Sequence, residues 1–477
     1  MNSPKTSVPQ TSASVAALRA ALPKGANERV ASALERAGEL EREVGALERE
    51  VIEKCDWFDY GAKVSNFAVL DEVEQEALRE AARAKFQALA VLRARALVEL
   101  PCVSCARLVA RLDEVLEGAA ETAADSMEDP SGRSFENGWI ARLSPEQIRE
   151  LGQKRSLNLG VNDLSKLPME TWGLLAPQLG NARSLNLRNT GLHKLDPAVW
   201  AILAPELGKV RSLNLHGNDL SGLSLDVLRL LAPQLGKVRS LDLGSSGLPG
   251  LSLEAWNLLV PQLGKVRHLK LSNNNLDKLD SAIWARLAPA LGKTWSLNLH
   301  GNDLGLIKNP AVWKLLAPEL GNVRSLILPY TGLDKLDSAI WKDLAAALGK
   351  VLSLDLSHSY LASITDHAIW KDIASALGKV QSLKLDSNNL GFIADAAIWK
   401  DLSHALGNVR SLSLKGNALA RFDNLHFIVN PAIWKDLAPA LSEVPSLNLN
   451  ENNLGSIADP AVWAPLSARP KGPDFQY

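Results

Sequence analysis

From residue 157 onward the apolar positions follow a fixed rhythm. Two leucines stand two residues apart and a third follows five later: Leu157, Leu159 and Leu164, then Leu185, Leu187 and Leu192, and so on to Leu447, Leu449 and Leu454. The first leucines fall at 157, 185, 213, 241, 269, 297, 326, 354, 383, 412 and 447, in steps of 28 or 29 with a last step of 35. In an extended strand Leu213 and Leu215 face one side, and Ser212, Asn214 and His216 face the other. Asn218 marks the bend, recurring as Asn162, Asn274, Asn302, Asn388, Asn417 and Asn452, with Thr190, Ser246, Thr331 and Ser359 in its place elsewhere. An Asn amide serves both donors and acceptors of a turning backbone. After the strand comes a helical period. In Asp196-Pro197-Ala198-Val199-Trp200, the Asp is an N-cap and the Pro a first-turn residue. Trp200, Leu203 and Leu207 then share one helical face, and Gly208 ends the helix. The prolines inside these helices, Pro177 to Pro439, predict short kinked helices there and straighter ones around 341–406. A repeat of this length predicts a stacked solenoid, which offers a long surface suited to binding.

The LxxLxLxxNxL core resembles the leucine-rich repeat family. The 28–29 residue unit with a helical return resembles its ribonuclease-inhibitor-like subclass. The resemblance covers about 144–467 and implies an α/β solenoid: a horseshoe with a parallel concave sheet and convex helices, whose concave face is the usual binding surface. The tryptophan of each helix recurs from Trp172 to Trp463, with Leu228 in the third unit. Such a ladder is read as rings packed between helix and sheet; a sugar or peptide platform is the alternative.

Upstream, the pattern changes. Residues 1–13 are rich in Ser, Thr and Pro and read as a disordered tail. Residues 14–121 read as an all-α region in which Val30, Ala33, Ala37, Leu40, Val44, Leu47 and Val51 form an a/d seam. Homodimerisation through Val30, Leu40, Val44, Leu47 and Val51 and an intramolecular bundle explain that seam equally well. Residues 122–143 read as a linker. Ser144-Pro145-Glu146-Gln147 is a capping box opening the helix that closes the N-terminal end of the array. Residues 468–477 form a tail in which Phe475 and Tyr477 can fold over the open sheet edge.

Charge and cysteine content narrow the class. The formal net charge is -1, which gives no whole-chain field for nucleic acid or an anionic membrane, and neither is expected as a partner. No apolar run is long enough to span a membrane, and residues 1–23 lack a secretory pattern. Three cysteines, Cys55, Cys102 and Cys105, argue against a disulfide framework and for a cytoplasmic protein. The Cys102–Cys105 pair lacks the βαβ context of a redox site and the four ligands of a zinc site. Gly292-Lys293-Thr294 lacks the first glycine of a phosphate loop. No cofactor, metal or catalytic residue is expected.

Binding residues are sought where the repeats differ. Variation concentrates just after the second leucine, where Arg188, His216, His300, Pro329 and Lys415 stand. The most deviant unit reads Leu326-Ile327-Leu328-Pro329-Tyr330, and His358 is expected beside Tyr330 on the next rung. An apolar spot ringed by polar groups marks a protein-binding hot spot. Ile327, Pro329, Tyr330, His358, His300 and Phe427 are the candidate residues; neutral drift of one repeat is the alternative. Phe427 lies in the extra segment of the 35-residue unit, which reads equally as added core or as a contact loop. The function expected is a non-enzymatic scaffold or adaptor that binds a protein partner on the concave face. A ubiquitin-ligase substrate receptor and a thiol effector using Cys102 or Cys105 are the alternatives.

Overall fold

The computed structural model describes residues 139–419, 421–423, 426–428, 431–452, 454 and 475–476. The seam from Val30 to Val51, the three cysteines and the 122–138 stretch lie outside the described residues. The described part belongs to one compact unit, 133–477.

Each repeat contributes one three-residue strand. In order these are β1 (Ser156–Asn158), β2 (Ser184–Asn186), β3 (Ser212–Asn214), β4 (Ser240–Asp242) and β5 (His268–Lys270). They continue as β6 (Ser296–Asn298), β7 (Ser325–Ile327), β8 (Ser353–Asp355), β9 (Ser382–Lys384) and β10 (Ser411–Ser413). A hairpin follows, β11 (Arg421–Asp423) and β12 (His426–Ile428), then β13 (Ser446–Asn448) and β14 (Phe475–Gln476). The repeat strands pair in parallel and in register, so that each leucine sits beside its equivalent: Leu157 with Leu185, Leu297 with Leu326, Leu412 with Leu447. The expected leucine-rich-repeat solenoid is what the described residues form. Its sheet packs strands about 4.8 Å apart, whereas its helices need 8–10 Å, so the stack bends with the sheet on its inner face.

The recurring asparagine holds neighbouring rungs together. Asn218 donates through Nδ2 to the carbonyls of Leu187 and Leu215, at 2.6 and 3.0 Å. Its Oδ1 accepts the backbone N–H groups of Thr190 and Leu192, at 3.1 and 3.2 Å. One buried side chain thus satisfies four backbone groups in two adjacent turns, where an unmet group costs about 1–3 kcal/mol. Asn274, Asn388 and Asn417 repeat the arrangement.

The helices from Met169–Leu179 to Ala396–Leu406 keep one length. Pro197–Leu207, with a proline inside, and Ser338–Leu348, without one, both run 11 residues. Contrary to expectation, a helix with a proline inside is no shorter than one without. Aspartates cap as expected; Asp280 accepts the N–H of Ile283 at 2.9 Å. The terminal glycines keep ordinary right-handed geometry, φ -72° at Gly321. Gly321 is required by proximity: a Cβ there would stand 2.9 Å from the Ala347 carbonyl of the next helix.

At the N-terminal end the capping box forms: Ser144 accepts the N–H of Gln147, and Gln147 accepts that of Ser144. At the other end β14 pairs with β13, Phe475 beside Leu447, so the tail covers the last sheet edge. The insertion is a hairpin in which Phe422 pairs with Phe427.

Candidate functional site

The core leaves little side-chain variety for function. Nine tryptophans from Trp172 to Trp434 are at most 1% exposed, so none is a platform for sugar or peptide. Function has to come from positions where the backbone reaches the surface.

One such position precedes the recurring asparagine. In all eleven units its φ is positive: Gly217 has 71°, Ser245 50°, Asn273 54° and Gly301 66°. Small residues, Gly and Asn are at ease there, and a bulky side chain is not. Two consecutive units nevertheless carry Tyr330 (φ 54°) and His358 (φ 52°), and Tyr360, two residues beyond, has φ 52°. The outward turn of the backbone throws all three rings off the sheet's C-terminal margin. Tyr330 is 39% exposed and Tyr360 51%.

The rings meet. The imidazole of His358 stacks on Tyr330, with centroids 4.4 Å apart and planes 11° from parallel. His300, one rung earlier, meets the other side edge-on at 5.2 Å. Tyr330 and its expected neighbour His358 therefore form one aromatic cluster with His300 across three rungs, with the half-buried Ile327 in the strand of the central rung. Burial lowers the pKa of both imidazoles, against the opposite pull of Asp355, and His358 lowers that of His300 further. Burial, then Tyr360, raises that of the Tyr330 phenol. At neutral pH the cluster is uncharged.

One expectation needs correction. Pro329 is buried and offers no contact surface. In seven other rungs an Asn or Asp at the third strand position caps the N–H two residues on; Asn298 Oδ1 accepts from His300 and Asp355 Oδ1 from Ser357, at 2.9 and 3.0 Å. Pro329 has no N–H to cap, and that frees position 327 to be isoleucine. Phe427 lies in the hairpin of the last long unit, in a separate two-stranded sheet. Tyr360 was missed by sequence reasoning. Its signal is an aromatic residue where other units have Gly191, Gly247, Gly332 or Asn275.

A second feature lies at the opposite end of the strands. The residue before each strand is Arg155, Arg183, Arg211, Arg239 and Arg267 on five successive rungs, then Trp295, then Arg324. Their backbones hydrogen-bond rung to rung at 2.7–2.9 Å, so the side chains leave the sheet in register. The guanidinium groups of Arg267 and Arg324 lie over the Trp295 ring at 4.6 and 4.8 Å.

Among the described residues no group of three or more His, Cys, Asp or Glu is placed to hold a metal ion, and no helix is long and apolar enough to cross a membrane. A cleft of about 170 Å³ lies between Leu225 and Leu228 of one helix and Leu251 and Ala255 of the next unit.

Among solved structures, the leucine-rich repeat-containing protein LegL7 from Legionella pneumophila is similar. It is 23% identical over 68% of this chain and 99% of its own, with a TM-score of 0.46. No protein-family profile matches the chain, and no curated protein matches it.

Proposed function

We infer that this chain is a non-enzymatic interaction protein whose repeat array binds a protein partner at the cluster of His300, Tyr330, His358 and Tyr360, with Ile327 beside it. The carrying observation is that three bulky rings occupy left-handed backbone positions. Each such residue costs on the order of 1–3 kcal/mol, and the equivalent positions of most other units hold Gly, Ser, Asn, Asp or Ala, with Val161 and Glu451 as the exceptions on the first and last rungs. Aromatic rings that project from a rigid scaffold and stack against one another are preorganised anchors for a partner's apolar side chain. The uniform Ser and Asn rows elsewhere on the sheet offer no comparable anchor. This reading supports a scaffold or adaptor role and leaves the ubiquitin-ligase and thiol-effector readings without a structural observation of their own.

The test compares proteins captured from source-cell lysate by the full chain, a Tyr330→Gly/His358→Gly variant and an Arg188→Gly control on a distant rung. The reading predicts a partner held by the parent and the control and released by the double variant. Retention of the same proteins by all three would place binding elsewhere.

A further inference from the structure

The cleft between the units that start at Leu213 and Leu241 lies where the repeat gives up its own charges. Its walls are Ser221, Leu223, Leu225 and Leu228 from the first unit and Gly250, Leu251, Ser252 and Ala255 from the second. In three other units the segment entering the helix reads Lys194-Leu195-Asp196-Pro197, Lys278-Leu279-Asp280-Ser281 and Lys335-Leu336-Asp337-Ser338. Here it reads Gly222-Leu223-Ser224-Leu225 and Gly250-Leu251-Ser252-Leu253. Glycine stands in place of the lysine, serine in place of the capping aspartate, and leucine in place of the first helical Pro or Ser. Helix capping does not require the change, since Asp196 and Asp280 cap their helices as Ser224 and Ser252 do. Two adjacent units thus lack the same cation and the same anion and carry the same added leucine, and the cleft lies between them.

A ring is also missing at this place. Nine other units bury a tryptophan at the position of Leu228. The strands of the two units pair in register, and the Leu220 N–H donates to the Ser246 carbonyl at 2.8 Å, so the units keep the repeat spacing although one side chain is smaller. What remains is a recess of about 170 Å³. An apolar cavity of about 150 Å³ takes up benzene, whereas sites for whole small-molecule ligands measure roughly 300–1,000 Å³. The recess therefore suits a single ring whose remaining atoms stay outside. The half-buried Leu225 lines it, and the exposed Leu253 follows Ser252 of its wall. Ser221 Oγ donates to Asp219, which leaves its lone pairs to accept an N–H.

We propose that this recess binds the indole ring of a tryptophan presented by a partner protein. An uncharged ring matches walls from which both charges of the neighbouring units are absent. A side chain matches a recess too small for a whole ligand and open on one side, where the partner's backbone passes. Indole is the ring that the other units place at this position, and Ser221 supplies an acceptor for its N–H. One aromatic side chain seated in an apolar recess is the usual form of an interface anchor. The site belongs to the third and fourth units and the aromatic cluster to the sixth to eighth, so this inference stands apart from the reading of that cluster.

The test uses the full chain labelled with carbon-13 at Leu and Ala methyl groups, titrated into the millimolar range with acetyl-Gly-Trp-Gly-amide. The same peptide with Leu or Asp in place of Trp, and free indole, are the comparison ligands. Three proteins are examined: the parent, Leu228→Trp, which puts the missing ring back, and Ser252→Asp, which restores a capping residue of other units and with it a charge in the wall. Circular dichroism and melting check that each is folded. The expected result is that the Trp peptide shifts the methyl resonances of Leu225, Leu228, Leu251 and Ala255 in the parent. Leu228→Trp and Ser252→Asp should each weaken that binding at least tenfold, and the Leu and Asp peptides should bind the parent at least fivefold more weakly. The proposal fails if the Trp peptide leaves these methyl groups unmoved, or if either variant binds it as the parent does. Equal binding of the Leu peptide would overturn the assignment to an aromatic side chain. Free indole binding more than tenfold tighter than the peptide would make the recess a small-molecule site and overturn the assignment to a protein partner.

Discussion

At the scale of single residues, function is visible as departure from a repeated solution. Ile327 and Pro329 illustrate a departure that repairs itself. The strand residue has no acceptor, and the residue it would have capped has no N–H. From the sequence alone both looked like contact residues; only the hydrogen-bond pattern of the other rungs separates the half-buried isoleucine from the buried proline. His268 is a departure with a measurable consequence. Other units have serine there, as at Ser240 and Ser296. The folded-state pKa near 4 lies below the ordinary 6.5, so between these values the unfolded chain takes up a proton that the folded chain refuses. Its contribution is intact above pH 6.5 and is lost as pH falls toward 4. His268→Ser should therefore flatten the decline in melting temperature between pH 6.5 and 4 relative to the parent. Parallel curves would mean that His268 is not held neutral.

At the scale of the element, one inserted residue changes the environment of a tryptophan. The 29-residue units place an isoleucine carbonyl against the indole: Trp313, Trp370 and Trp399 donate through Nε1 to Ile307, Ile364 and Ile393 at 2.8–3.0 Å. In the 28-residue units the Nε1 atoms of Trp172, Trp200, Trp256 and Trp284 are buried without a partner. Trp313→Phe strands a buried carbonyl, whereas Trp284→Phe removes a donor that has no acceptor. The first should cost about 1–3 kcal/mol more than the second in denaturant unfolding; equal losses would refute this account. The burial of the ladder and the caps were legible in the sequence because they follow from period and residue type. The partner of each indole was not, since it depends on where one extra residue displaces a carbonyl. The third unit, with Leu228 for tryptophan, borders the cleft of about 170 Å³. Leu228→Trp restores the residue of the neighbouring units, and added apolar burial should raise the melting temperature. A lower value would indicate that the cleft cannot accept the larger ring.

At the scale of the whole molecule, the repeat architecture was legible because eleven copies of one pattern admit one stacking solution. The tail was legible as a candidate edge cover through Phe475, and its backbone pairs as β14. Deleting residues 469–477 should expose β13 and lower both solubility and the melting temperature. The functional surfaces were half legible. The nearness of Tyr330 and His358 followed from register, but the edge-on contact with His300 and the positive φ that makes these rings costly are properties of the folded geometry. The arginine row was written in five successive units, as Arg155, Arg183, Arg211, Arg239 and Arg267. The central claim is that Tyr330 and His358 are kept for binding and against the preference of the fold, and the most direct test is the unfolding free energy of Tyr330→Gly/His358→Gly. Relief of two left-handed bulky residues, about 1–3 kcal/mol each, outweighs the lost ring stack of about 0.5–1.5 kcal/mol. The account predicts a variant at least as stable as the parent. A loss of more than about 2 kcal/mol would contradict it and make the rings part of the structural framework.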